Sequence, residues 1–109
     1  MIRVTERDFA IKAPSVVPAG DVRIVVVNDG PVSHELLLAR LTPLGLPKRT
    51  DGYTIDEEGM GRRLTAVVEP QRPGHEEGQL IHLRPGRYVI FCNMAGHYAA
   101  GMHRSFRVR

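Results

Sequence analysis

The sequence predicts an all-β protein: a Greek-key antiparallel β-sandwich of about seven to eight strands. Three observations carry that expectation. Short runs rich in β-branched and aromatic residues recur from Ile2 to Val108. Turn formers separate them, with 11 Gly and 8 Pro in the chain, which suits many turns and few helices. The length of 109 residues corresponds to one domain over residues 1–109, large enough to bury a core without disulfide staples.

Taken in order, residues 2–12 place Ile2, Val4, Phe9 and Ile11 among charged residues, a loosely alternating first strand. Pro14, Pro18, Ala19 and Gly20 make a turn. Val22 to Val27 is a strongly β-branched strand, expected to be buried on both faces near its end. Asn28-Asp29-Gly30-Pro31 is a turn, and the next strand starts at about Val32 and runs to Arg40. His34 therefore lies at the beginning of a strand, at one end of the sandwich. Residues 42–63 are an irregular surface excursion punctuated by Pro43, Gly45, Pro47, Gly52, Gly59 and Gly61, within which Asp56-Glu57-Glu58 can start a short helical turn. Leu64 to Glu69 returns to a strand, Pro70 to Gly78 is loop, and Gln79 to Leu83 is a strand. Arg84-Pro85-Gly86-Arg87 is a tight turn before the strand Tyr88 to Cys92. Arg104 to Val108 closes the chain with clean alternation. There is no internal repeat and no low-complexity segment.

Composition narrows the function. The chain is 42% hydrophobic and 25% charged, as globular proteins are. Its formal charge is +3, but Lys and Arg are scattered, with pairs at Lys48-Arg49 and Arg62-Arg63 and no basic run. Nucleic acid is therefore not expected as a partner, whereas a basic face can steer an acidic protein partner. No stretch approaches 18 apolar residues, so no membrane span is expected. One cysteine excludes an internal disulfide, leaving packing and metal as sources of stability.

The chemistry concentrates between Tyr88 and Met102. A strand ends in the only cysteine and gives way to a loop of small residues with two glycines, in which Cys92, His97 and Met102 fall five residues apart. His34 lies far upstream, before Leu36-Leu37-Leu38. A thiolate, imidazoles and a thioether are the soft and borderline donors that copper prefers, and two His, one Cys and a weak axial Met make a blue-copper ligand set. The central expectation is one mononuclear type 1 copper held by His34, Cys92, His97 and Met102. Asn28 and Asn93 are candidates to hold the ligand loops together by hydrogen bonds.

Each donor also has a plain structural reading. Cys92 alone reads as a buried small hydrophobe, His97 as an exposed loop histidine, Met102 as core and His34 as a strand end. Their order and spacing together favour the metal. His75 reads as a surface residue and His82 as structural. His103 points to the opposite face of its strand from Met102. Of the rival thioethers Met60 and Met94, Met94 is expected in the apolar surface around the site. Zinc would call for more Cys or His donors. A thiol-hydrolase pair of Cys92 and His97 lacks an orienting group, so no enzyme is expected.

At Gly86-Arg87-Tyr88-Val89-Ile90-Phe91-Cys92 the sequence resembles the cupredoxins, whose cysteine-bearing strand shows Gly-x-Tyr-x-x-x-Cys. The Cys-x4-His-x4-Met loop is most similar to the rusticyanin and sulfocyanin branches, and Val27-Asn28-Asp29-Gly30 followed by Ser33-His34-Glu35-Leu36 resembles the first-histidine segment of small bacterial cupredoxin-like copper-binding proteins. Glu35 stands where plastocyanin and azurin place an Asn. The resemblance implies a β-sandwich with copper at one end, shuttling between Cu(I) and Cu(II). It implies an exported protein, periplasmic or extracellular, with any leader or anchor outside these residues. It implies a carrier of single electrons between redox proteins. The loop residues Met94, Ala95, Gly96, Tyr98, Ala99 and Ala100 are apolar or small, so an exposed apolar patch around His97 is expected as the docking place of redox partners, and the chain is expected to be a monomer. The family also offers another occupation, periplasmic copper binding and delivery without an electron-transfer role.

Overall fold

A computed structural model describes the chain apart from Leu44, Tyr53 and Ala95. The described residues form two facing sheets. One contains β1 (Ile2–Arg7), β2 (Ala10–Lys12), β4 (Gly20–Asn28) and β7 (Glu76–Leu83), in the order β2-β1-β4-β7. The other contains β3 (Val16–Val17), β5 (His34–Arg40), β6 (Leu64–Gln71), β8 (Gly86–Phe91) and β9 (His103–Val108), in the order β3-β9-β8-β5-β6. The expected sandwich is present, but its sheets are mixed rather than wholly antiparallel: β1 runs parallel to β4 and β3 parallel to β9.

Alternation sets the inward rows. Ile2, Val4 and Glu6 of β1 and Val22, Ile24, Val26 and Asn28 of β4 are buried, while their neighbours along each strand are exposed or half-buried. The expectation that the Val22–Val27 strand is buried on both faces near its end is thus corrected, because Val25 and Val27 are only half-buried. In the other sheet, Leu36 and Leu38 of β5, Tyr88 and Ile90 of β8, and Phe106 and Val108 of β9 join the same core. The stacked rings of Tyr88 and Phe106 lie 5.6 Å apart within it.

The continuous apolar run of β5 has a separate cause. Leu37 and Ala39, with Val89 and Phe91 of β8, form a distinct cluster with Ile55 and Met60 from the irregular segment. Residues 42–63 are therefore not merely a surface excursion. Their described part includes a Lys48–Ile55 bridge, α1 (Glu57–Met60) and a single 3-10 turn at Gly61–Arg63. Asp56 caps α1 by accepting a bond from the Gly59 amide at 3.1 Å, the role its position before Glu57-Glu58 suggests. Central strands covered on both faces read as unbroken hydrophobic runs.

Several boundaries move. Residues 2–12 form two strands, joined by a turn at Asp8-Phe9. The strand expected from Val32 begins at His34, and β3 was not apparent in a sequence of only two paired residues. The loop placed at Pro70 to Gly78 shrinks, since β6 continues to Gln71 and β7 starts at Glu76. β6 is an edge strand with register shifts opposite His34 and Leu36, and Pro70 is tolerated there because edges and irregularities need no ladder donor.

Ile55 is fully buried beneath the outer face of β5 and β8. Ile55→Ala should destabilise the protein by about 2–5 kcal/mol, the range for large-to-small core substitutions, as read by urea denaturation. A cost of only a few tenths would mean that the irregular segment does not seal this sheet.

Candidate metal centre

Strand pairing brings the sequence-distant donors together. β5 and β8 are antiparallel neighbours, with Leu37 opposite Phe91. The start of β5, which carries His34, therefore meets the end of β8, which Cys92 follows. The chain then turns and returns as β9, and backbone bonds fix that return. The Cys92 amide donates to the Met102 carbonyl at 3.1 Å, the Met102 amide to the His97 carbonyl at 3.1 Å, and the His97 amide to the Met94 carbonyl at 2.9 Å.

The result is a compact donor set. His34 Nδ1 lies 3.2 Å from His97 Nδ1, and Cys92 Sγ lies 3.4 Å from His97 Nδ1. The three ligating atoms fall within 4.8 Å of one another. His34, Cys92 and Met102 are each 0% exposed, and Met102 sits in the main core beside Cys92. His97 is half-buried and is the member that reaches the surface.

Electrostatics suit a cation more than a proton. Burial lowers the His34 pKa, the neighbouring His97 lowers it further, and Asp8 opposes both, so the imidazole is kept neutral with a free lone pair. Burial pushes the Cys92 thiol up to about 11, although backbone amides of Glu35 and Met94 favour the thiolate. Without a positive charge the sulfur holds its proton at neutral pH; a thiophilic metal ion would displace it. Two imidazoles, a thiol and a buried thioether match copper's preferences.

Two asparagines hold the surroundings, as their positions suggest. Asn28 donates to the carbonyls of Val32 at 3.0 Å and Gln71 at 2.7 Å and accepts from the Gly30 amide, closing the turn before His34. Asn93 accepts from the Ile55 amide at 2.7 Å and donates to the Ile55 carbonyl and to Glu57. The Asn93 amide donates to Glu35 Oε1 at 3.2 Å, which ties the residue after Cys92 to the residue after His34.

Three nearby residues were not singled out from the sequence. Asp8 Oδ1 lies 2.9 Å from His34 Nε2, but off the N–H direction, so the pair is an electrostatic contact rather than an aligned hydrogen bond. Phe9 is 42% exposed and stands edge-on to the His97 ring at 5.2 Å. Glu6 is fully buried, and neither carboxyl oxygen has a hydrogen-bond partner among the described residues. Nothing local marks these side chains, which the parallel pairing of β1 with β4 delivers to this end of the sandwich.

Of the expected patch, Gly96, Ala99 and Ala100 are exposed, Tyr98 is half-buried and Met94 packs on the core, while Ala95 lies outside the described residues. His75 is exposed, as expected. His103 points outward and stacks on Tyr98 at 4.6 Å. His82 is exposed on β7 and pairs across the ladder with the exposed Asp21 of β4 at 2.8 Å. Met60 belongs to the outer cluster under β5.

Comparison with known proteins finds no matching family model and no matching curated protein. Solved structures do match. Dithionite-reduced auracyanin from the photosynthetic bacterium Roseiflexus castenholzii has a TM-score of 0.72 at 18% identity, with 98% of this chain and 94% of that chain covered. Auracyanin B has a TM-score of 0.70 at 20% identity, covering 98% and 86%. Rusticyanin from Thiobacillus ferrooxidans has a TM-score of 0.69 at 17% identity, covering 98% and 76%, and is described as a copper protein. The chain thus has the cupredoxin fold, with His34, Cys92, His97 and Met102 at the end of the sandwich where a type 1 site would sit.

Glu6 gives the site a pH signature. Burial, reinforced by Glu35, raises its pKa from 4.5 to about 8. The folded state then holds this proton more tightly than the unfolded chain does. The stability linked to Glu6 is full below about pH 4.5 and is lost as pH rises towards 8, with a limiting slope of about 1.4 kcal/mol per pH unit. Glu6→Gln should flatten that decline in the metal-free protein and make the variant the more stable form at pH 8. Urea titrations at pH 5 and pH 8 check this; parallel losses in both proteins would contradict it.

Proposed function

We propose that the chain is a single cupredoxin-like domain that carries single electrons between redox proteins by means of one type 1 copper. The observation that carries this reading is the convergence of His34 Nδ1, His97 Nδ1 and Cys92 Sγ within 4.8 Å in a largely buried pocket. When bound there, copper supplies a one-electron Cu(I)/Cu(II) couple.

The chain's own residues do the remaining work. His34, His97 and Cys92 would provide the strong donors to copper, and Met102 a weaker thioether. The Asn93 and Glu35 bonds tie the two ligand-bearing segments to each other, so the donors keep their places when the charge at the centre changes. The core around Cys92 and Met102 excludes water. His97 offers the way in and out, since it alone of the three clustered donors is half-buried. Phe9, Gly96, Ala99 and Ala100 surround it with exposed, uncharged surface that suits a brief protein contact. No enzymatic step is assigned. The reading includes a monomer acting in the periplasm or outside the cell, and among the described residues no helix is long and apolar enough to cross a membrane.

Adding Cu(II) should produce an intense visible thiolate-to-copper band, removed by ascorbate and restored by ferricyanide. A colourless protein that holds only Cu(I) would instead favour copper delivery. Cys92→Ser should abolish the band while the β fold persists by circular dichroism; a band of undiminished intensity would end the type 1 reading. Met102→Leu should keep the colour and raise the reduction potential, because losing the axial donor favours Cu(I). An effect from Met94→Leu and none from Met102→Leu would identify the other methionine as axial. Ala99→Lys should slow electron self-exchange without altering the spectrum, and exchange at the wild-type rate would place electron entry on another face.

A further inference from the structure

The arginines, scattered in sequence, are gathered by the fold. Arg40 ends β5, Arg62 and Arg63 form the 3-10 turn before β6, and Arg84 lies in the turn between β7 and β8. All four line one open recess of about 330 Å³, together with His82 and Tyr88. Among the described residues no Asp or Glu lines it; Asp21 pairs with the lining residue His82 through Nδ1 at 2.8 Å. The recess is at the opposite end of the sandwich from His34. β5 separates the two by six residue steps, roughly 20 Å at the usual strand rise.

Two members of the cluster, Arg40 and Arg63, are held by contacts at the recess, while the other two stand exposed. The Arg40 guanidinium lies 5.7 Å over the Tyr88 ring and donates to the Pro85 carbonyl at 3.0 Å. It packs across the bare face of Gly86, where a Cβ would come within 2.8 Å of its Nη2 and where φ is +151°. Arg63 makes a single long contact, from Nη2 to the Arg40 carbonyl at 3.4 Å, and its Nε has no acceptor among the described residues. Arg62 and Arg84 are exposed at the rim, with no ion pair recorded for either among the described residues.

Four guanidiniums around a concavity without an acidic lining repel one another and present donors with few acceptors. An anion that brings several oxygens relieves both deficits, and planar forked donors suit phosphate oxygens. A concave recess also fits a compact oxyanion better than a flat protein surface. We infer that this arginine recess is a binding site for a phosphate-class oxyanion, either free in solution or presented as a lipid headgroup. It is independent of the metal centre, so its ligand should bind without changing the copper spectrum.

Pyrophosphate is a suitable soluble probe, titrated into the intact protein by calorimetry against sodium chloride of equal ionic strength. Saturable binding beyond the chloride control is expected, with a rise in the thermal midpoint. Arg62→Ala and Arg84→Ala, both at the exposed rim, should each weaken it about tenfold or more while leaving the fold and visible band intact. Co-sedimentation with vesicles of phosphatidylcholine, with and without phosphatidic acid, separates the sources. Binding only to the acidic vesicles, lost in the same variants, assigns the headgroup; pyrophosphate binding in solution assigns the free anion. Binding to neither probe, or equal binding in wild type and variants, would overturn the inference.

Discussion

Two imidazole nitrogens 3.2 Å apart, with a sulfur 3.4 Å from one of them, stay together only if the backbone on both sides is fixed. Burial and the neighbouring His97 lower the proton affinity of His34, and the sulfur holds its own proton in a buried site. The rest of this end of the molecule answers that constraint. β5 and β8 are paired, the Cys92 and Met102 amides lock the returning loop, and the Asn93 amide bonds the carboxylate of Glu35 across from it. Asn93 also reaches Ile55, so the segment that covers the outer face of the sheet is fastened to the donor loop. Packing of Ile55 and geometry at Cys92 are therefore linked through one asparagine.

Much of this was legible in the sequence because it rests on local signals. The loop from Cys92 to Met102 announces its donors by residue type and spacing. The strand beginning at His34 follows a turn written in Asn28-Asp29-Gly30-Pro31. Asn28 and Asn93 are buried polar residues beside these loops, and such residues must find hydrogen bonds. Less legible was what depends on pairing between distant segments. Asp8 and Phe9 read as part of one alternating strand, yet they form the turn that sets them against His34 and His97. The apolar run Leu36-Leu37-Leu38 carries no local sign of what covers its second face. Only the fold supplies Ile55 and Met60. Parallel pairing of β1 with β4 leaves no local mark, because the two strands are consecutive in neither turn nor hairpin.

Charge shows the same division. A formal excess of +3 spread along the sequence suggests no particular face. Folding places four arginines from one strand end and two turns around one recess, while Glu6, Asp8 and Glu35 lie at the end with the donor cluster. Burial, reinforced by Glu35, raises the proton affinity of Glu6, and burial, reinforced by Glu6 and Glu35, raises that of Cys92, which favours a bound cation there. A molecule with carboxyl groups around its His–Cys–His cluster and guanidiniums at the far end can meet two different partners without either blocking the other.

The central claim is that the fold, rather than the metal, sets the arrangement of His34, Cys92 and His97. X-ray absorption at the copper edge, recorded on the loaded protein in both oxidation states, tests it most directly. One sulfur and two nitrogen near neighbours, with nearly the same distances in Cu(II) and Cu(I), is the predicted result. Loss of the sulfur, added oxygen neighbours, or a first shell that rearranges on reduction would contradict it.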